Sequence, residues 1–252
     1  MRYSYQDAAE VWGGGLIGIV DWAQNPSGSG SASYRGKFKS GRNDITFGVP
    51  TASGTNTITG GSGRCQQNGN SFIPVTEPSV GDALGTANTG TWGFWWNQTA
   101  RNSAYSNHAF ALSELYYTGT QSWSYRFGCL SSNNSRMQSF ITSNNAGSSP
   151  NVSESLSNTF SLNVWYYWMF VLEGSGLTRI YKNGVLDVSS YVKTQSSVGI
   201  NNGTRNIMIG GMNNDVIFTP RAYIKHIAFS TKTCTASDAN RIYQFERANF
   251  NL

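Results

Sequence analysis

The chain has 252 residues; 12% are charged, 38% hydrophobic and 13% aromatic, and 18 basic against 13 acidic side chains leave a formal net charge of +5. That much aromatic area excludes a chain too polar to fold. No run approaches the roughly 20 apolar residues a membrane-spanning helix needs, so insertion of that kind is excluded too.

The basic excess is mild and scattered, so nucleic acid is not an expected partner. The 28 glycines, with many Ser, Thr and Asn, describe short strands joined by tight turns, and the length suits a single β-sandwich core.

In chain order, residues 1–15 read apart from the rest. Ser4 to Trp12 can form a short helix, which Gly13, Gly14 and Gly15 then break. This is an N-terminal arm and glycine hinge, or an ordinary first edge element. As an arm, it offers Tyr3, Tyr5 and Trp12 for docking on a partner. Leu16 to Trp22 reads as a strand and Asn25 to Ser33 as a Gly/Ser loop. Arg35, Lys37, Lys39 and Arg42 form a small basic cluster, read as a solvated loop, with contact to phosphate or an acidic protein face as the alternative.

Alternation at Ile45, Phe47 and Val49 predicts a strand, followed by a turn over Pro50 to Gly54. Thr55–Thr59 is an edge-type strand, Gly60 to Gly63 a turn, and Phe72 to Val75 the next strand. Thr91 to Asn97 is the strongest strand of the first half, with Trp92, Phe94 and Trp96 on one face and Trp95 on the other. Leu112 to Tyr117, Trp123 to Leu130 and Met137 to Ile141 follow, then a polar turn region over Asn144 to Asn151.

Val164 to Leu172 is nearly continuous apolar and aromatic sequence, as in a strand covered on both faces. Leu177 to Tyr181 leads into Asn183-Gly184, a strong hairpin signal. Ile207 to Ile209 and Ala222 to Phe229 complete the strands. Thr235, with Asp238 three residues on, caps a short C-terminal helix in which Ile242 and Phe245 share a face.

The chemistry-bearing residues are sparse. A retaining glycosidase needs two carboxylates about 5 Å apart, and same-face spacing on a strand would supply them. Glu114, Glu154, Glu173 and Asp187 instead stand alone in sequence. His108 lies in an expected loop and His226 on a strand, next to no acid, and no GxSxG elbow occurs. Asn213-Asn214-Asp215 is a weak calcium candidate, centred on Asp215, and reads more simply as a turn. No cofactor is implied. Cys65, Cys129 and Cys234 show no CxxC spacing; one long-range bridge with a free thiol is one reading, and three buried free thiols are favoured if the chain folds in a reducing cell.

Three stretches, in order, resemble the laminin-G-like, concanavalin A-like lectin-glucanase superfamily. Thr91-Trp92-Gly93-Phe94-Trp95-Trp96 is similar to that family's aromatic strand. Trp165 to Val171, with Ile180-Tyr181-Lys182-Asn183-Gly184, is similar to its "lYvNG" hairpin. Ile207 to Gly211, with Ala222 to Phe229 and the capped helix, is similar to its closing segment. The likeness covers roughly residues 43–247. Lys225 stands where the family often has Asp, which weakens a calcium site further, and Cys234 stands where it often has Leu.

The resemblance implies an all-β, two-sheet antiparallel jelly-roll sandwich with one short C-terminal helix, forming a single domain over 16–252 after the arm. The family contains lectins, adhesion modules and glycanases, so the fold does not name the function.

The leading expectation is a non-catalytic structural, decoration or attachment protein of a phage-like virion. It rests on the absence of a readable export signal, the polar surface composition and the arm. Its partners would be other virion proteins, further copies of itself, and host surface glycans. The alternative is a glycan-binding, lectin-like module of a bacterial surface or secreted protein, hence extracellular, and a glycoside hydrolase is a distant third. Trp123, Tyr116 and Tyr117 are the candidate sugar-stacking residues, since they lie in less core-like sequence than Trp165 or Trp168.

Overall fold

The computed structural model describes residues 5–21, 28–29, 34–38, 45–47, 57–59, 62–65, 73–75, 89–100, 107–114, 123–129, 136–141, 153–157, 159–173, 177–191, 205–209 and 222–252. It is mostly antiparallel β-structure, with strands in two sheets and two helices among the described residues.

Helix α1 (Tyr5–Trp12) comes first, followed by β1 (Leu16–Asp21), β2 (Gly28–Ser29), β3 (Tyr34–Phe38), β4 (Ile45–Phe47), β5 (Thr57–Thr59), β6 (Ser62–Cys65) and β7 (Ile73–Val75). Next are β8 (Gly90–Gln98), β9 (Asn107–Glu114), β10 (Trp123–Cys129), β11 (Met137–Ile141) and β12 (Ser153–Leu156). The chain ends with β13 (Tyr166–Leu172), β14 (Leu177–Lys182), β15 (Val185–Tyr191), β16 (Arg205–Ile209), β17 (Ala222–Ser230) and helix α2 (Ala236–Phe250).

The larger sheet runs β15-β14-β13-β8-β17-β1-β3-β4, with β6 also pairing β17 and carrying β5 and β2; the smaller runs β12-β11-β10-β9-β16-β7. β8 is therefore central, hydrogen-bonded to β13 on one side and β17 on the other. Its burial is nearly continuous, as is that of β13, which agrees with their unbroken apolar sequences.

The Asn183-Gly184 hairpin forms as the dipeptide predicts. Both residues have positive φ, 52° and 78°, the signature of a type I′ turn whose twist matches the strands it joins. A side chain on Gly184 would also stand 3.0 Å from the Cα of Asn240, so the hairpin tip sits directly against α2.

α2 is capped as the sequence predicts. The Asp238 amide donates to Thr235 Oγ1 at 3.1 Å, and the Thr235 amide donates back to Asp238 Oδ2 at 3.0 Å. Burial acts to raise the Asp238 carboxyl, but its Thr235 hydrogen bonds and Lys232 outweigh that and hold it below the ordinary carboxylate range. Ile242 is buried and Phe245 is partly buried against the same core.

Several local expectations are corrected. The short helix read over Ser4 to Trp12 forms as α1 (Tyr5–Trp12), so the expected fold class, with its one short C-terminal helix, counted one helix too few. Arg35 and Lys37 lie on β3, not in a loop, because pairing with β1 and β4 recruits the segment. Gly28–Ser29 makes a short strand inside the Gly/Ser stretch by pairing with β5. Ser62 and Gly63 belong to β6, where a turn was expected. His108 lies on β9, paired with β10, not in a loop. β9 ends at Glu114, earlier than expected, and Tyr116 and Tyr117 lie outside the described residues. The expected turns over Asn144 to Asn151 and around Asp215 also lie outside them.

Candidate functional site

One face of the larger sheet is covered by the two helices. Trp95 of β8, Tyr167, Met169 and Val171 of β13, Ala228 of β17 and Ile19 of β1 meet Ala8 and Trp12 of α1 and Ala239, Ile242 and Phe250 of α2. Trp12 is wholly buried. The structure thus places this candidate docking residue inside the core of its own domain. Tyr5 opens α1, and Tyr3 lies outside the described residues.

The glycine run after α1 is tied down as well. The Leu16 amide donates to Gly13 O at 3.2 Å, and the Thr231 amide donates to Gly15 O at 3.0 Å. Arg241 of α2 donates to Val11 O at 3.1 Å, which links the two helices.

Gly93 of β8 makes this packing possible. A Cβ there would stand 2.3 Å from the Tyr167 hydroxyl and 2.8 Å from the Trp12 ring. The Tyr167 ring stacks obliquely on Trp95, centroids 5.2 Å apart, and its backbone exchanges hydrogen bonds with Asn183: the Tyr167 amide donates to Asn183 Oδ1 and the Asn183 amide to Tyr167 O. Burial first, then the charge of Glu246, then Cys234, push the Tyr167 hydroxyl well above its ordinary pKa.

Beside Tyr167, and fully buried, His226 of β17 meets Glu246 of α2, Nδ1 to Oε2 at 3.1 Å. This corrects the reading of His226 as next to no acid. The partner comes from a helix twenty residues further on, and nothing in the local sequence announces it. The Phe250 ring lies 5.4 Å from the imidazole. Lys225 sits over Phe250 and Trp165, at 5.5 and 5.7 Å from their centroids. Because both members are sealed from solvent, the pair cannot touch a substrate and is not a catalytic dyad.

The other described ion pairs are peripheral: Arg179 with Glu173, Lys182 with Asp187 at 3.4 Å, and Lys232 and Arg241 with Asp238 at 3.3 and 2.7 Å. Each carboxylate faces a cation, not a second carboxylate. Among the described residues no group of three or more His, Cys, Asp or Glu is placed to hold a metal ion. Asp215 lies outside them. Cys234 is a free, buried thiol, pushed up from its ordinary pKa by burial.

Of the candidate sugar-stacking residues, Trp123 opens β10 in the smaller sheet, opposite Ser113 of β9. No described helix is long and apolar enough to cross a membrane.

No family model and no curated protein sequence matches the chain. Solved structures do. The receptor-binding domain of a botulinum neurotoxin C/D mosaic serotype aligns over 92% of this chain and 51% of its own, with TM-score 0.59 and 11% identity. Trypanosoma rangeli sialidase in complex with the inhibitor DANA aligns over 90% of this chain and 32% of its own, with TM-score 0.58 and 11% identity. The CBM40 of Ruminococcus gnavus IT-sialidase bound to α2,3-sialyllactose aligns over 69% of this chain and 92% of its own, with TM-score 0.56 and 10% identity.

The chain thus spans about a third of the trypanosomal enzyme and about half of the toxin domain, but nearly all of the CBM40. At such identities the likeness is one of fold alone, a β-sandwich.

Proposed function

We propose that the chain is a non-catalytic, carbohydrate-binding module with the two-sheet arrangement of a jelly roll, exposed outside the cell or on a particle surface. The observation that carries this is the near-complete coverage of one neighbour, the CBM40 of Ruminococcus gnavus IT-sialidase bound to α2,3-sialyllactose. The enzyme among the neighbours is matched over only 32% of its length. The His226–Glu246 pair is buried, and Glu173, Asp187 and Asp238 each face a cation, which suits a binding role for these residues. The virion reading loses one of its motives, because Trp12 is used to close the chain's own core.

The proposed ligand-stacking residues are Trp123, Tyr116 and Tyr117. The test is binding of the folded, multimerised chain to an array of sialylated and neutral glycans, with hydrolysis followed in parallel. Glycan capture without sugar release is expected. Trp123→Ala should then weaken capture about fivefold or more, the cost of truncating a dominant contact residue. A folded sample that captures nothing across the array would overturn the proposal, as would steady release of sugar.

A further inference from the structure

We propose that the outer face of the smaller sheet is the binding surface and that it takes a glycan bearing a carboxylated sugar, with Trp123, Asn206 and Arg126 at its contact positions. This rests on the carbohydrate-binding reading above, to which it gives a place and a ligand class.

The larger sheet has no face to offer at its centre. One face of β8 and β13 lies under α1 and α2. On the other, Trp92, Phe94, Trp96, Trp168 and Phe170 are wholly buried. The smaller sheet meets the larger at both ends: β12 contacts β14 and β15, and β7 contacts β4. Its strand order therefore runs parallel to that of the larger sheet. In the sandwich so formed, one of its faces turns inward and the other outward.

Register tells the two faces apart. Met137 of β11 is wholly buried, which marks the inward side. Strand positions alternate between faces, and residues paired across strands share one. From Met137 the pairing carries the inward side to Ile141, Phe127, Phe110, Leu112, Ile207 and Val75. All are apolar, as an inward face requires.

The outward positions fall in two neighbouring rows. The first crosses Glu154, Phe140, Arg126, Ala111 and Met208. The second holds Trp123, Ser113 and Asn206. Strict alternation would set Trp123 inward, with Tyr125 and Phe127. The irregularity between Trp123 and Tyr125 changes that: Tyr125 stands opposite Leu112, but Trp123 stands opposite Ser113, so the two are on different sides. Ala111 and Ser113 lie two residues apart on β9, which sets the rows about 7 Å from each other. One sugar residue can reach both.

The residue types in these rows match a carboxylated sugar. An indole offers a flat apolar surface for a sugar ring, and an amide both donates to and accepts from hydroxyls. A guanidinium takes a carboxylate through two parallel hydrogen bonds. Arg126 occupies the middle of its row, and the one acid in these rows, Glu154, is two strands away, about 9.6 Å by strand spacing. The centre of the face is basic, complementary to an acidic ligand.

The experiment is capture of the full chain on immobilised glycans, each acidic one paired with its carboxyl-reduced form, with thermal unfolding of every variant alongside. The wild type should hold the acidic member about tenfold or more better, the effect of one charge-assisted pair. Arg126→Ala should erase that preference and leave capture of the reduced form unchanged. Asn206→Ala should weaken both forms alike, about threefold. Ala111→Glu, at the register position beside Arg126, should melt with the wild type and lose capture of the acidic form selectively; it carries the test should Arg126→Ala not fold. An Ala111→Glu chain that does not fold would put that position inside and overturn the face assignment. Equal capture of the paired forms by the wild type, or a preference that survives Arg126→Ala, would overturn the site while leaving carbohydrate binding standing. No capture of any glycan would overturn both.

Discussion

β8 and β13 bury both of their faces, but by different means. On one face, Trp92, Phe94 and Trp96 meet Phe170 and Trp168 in an aromatic layer; Phe94 stacks on Phe170 with centroids 5.7 Å apart, and Trp168 meets Phe160 edge-on at 5.5 Å. On the other, Trp95, Tyr167 and Met169 lie under α1 and α2, with His226 and Glu246 buried alongside. Among the described residues the first face is an aromatic layer held chiefly by apolar burial, with Lys182 lying over the Trp168 ring at 5.9 Å. The second combines apolar area with groups that can gain or lose a proton, so its stability depends on pH. One pair of strands thus serves an inert core and a conditional one.

The comparison can be broken most directly by truncation. Trp12→Ala and Phe94→Ala each remove a fully buried ring and should each cost about 3–5 kcal/mol in denaturant unfolding. They should differ in reach. Trp12→Ala should raise amide exchange chiefly in α1 and α2, and Phe94→Ala throughout β8 and β13. Equal loosening of all elements by both variants would show that the two faces are not separable.

A smaller effect is expected from Gly93→Ala, which drives a methyl into the Tyr167 hydroxyl and the Trp12 ring, at about 1–3 kcal/mol. The closest atom is the hydroxyl, so a Tyr167→Phe background should recover part of the loss. No recovery would shift the constraint to Trp12.

The smallest effect is that of Tyr167→Phe alone. The hydroxyl is buried without a hydrogen-bond partner among the described residues, so its removal should change stability little at pH 7. Its sign appears in alkali. A tyrosine raised in the folded state contributes stability that is present below its unfolded value of about 10 and lost as pH rises through the folded one. Unfolding at pH 7 and above pH 10 should therefore show the wild type losing stability relative to Tyr167→Phe. Parallel behaviour would place the ionised hydroxyl in contact with water.

Much of the strand order was legible in the residues. Met137 to Ile141 and Ala222 to Phe229 declare themselves by apolar content, Asn183-Gly184 by the positive φ its turn requires, and α2 by Thr235 and Asp238. These signals are local: each depends on a few neighbouring residues and survives without knowledge of the rest. β3 was hidden because Arg35 and Lys37 disguise a segment whose state is decided by its pairing with β1, and β2 because two residues exist as a strand only beside β5.

The candidate site was less legible. The aromatic surplus pointed to stacking surfaces, yet it did not separate Trp12, which fills the core, from a side chain offered to a partner. Nor could the spacing of His226 and Glu246 reveal that they meet.

By itself, then, the sequence determined the β-class, the main hairpin, the C-terminal cap and the absence of a local catalytic motif, because these follow from periodicity, turn chemistry and residue type over short spans. Only the tertiary structure decided that the N-terminal helix folds back on its own sheet and that a histidine and a glutamate twenty positions apart share one dry site. Burial and long-range contact arise when distant segments pack, and no short stretch of sequence encodes which segment will arrive.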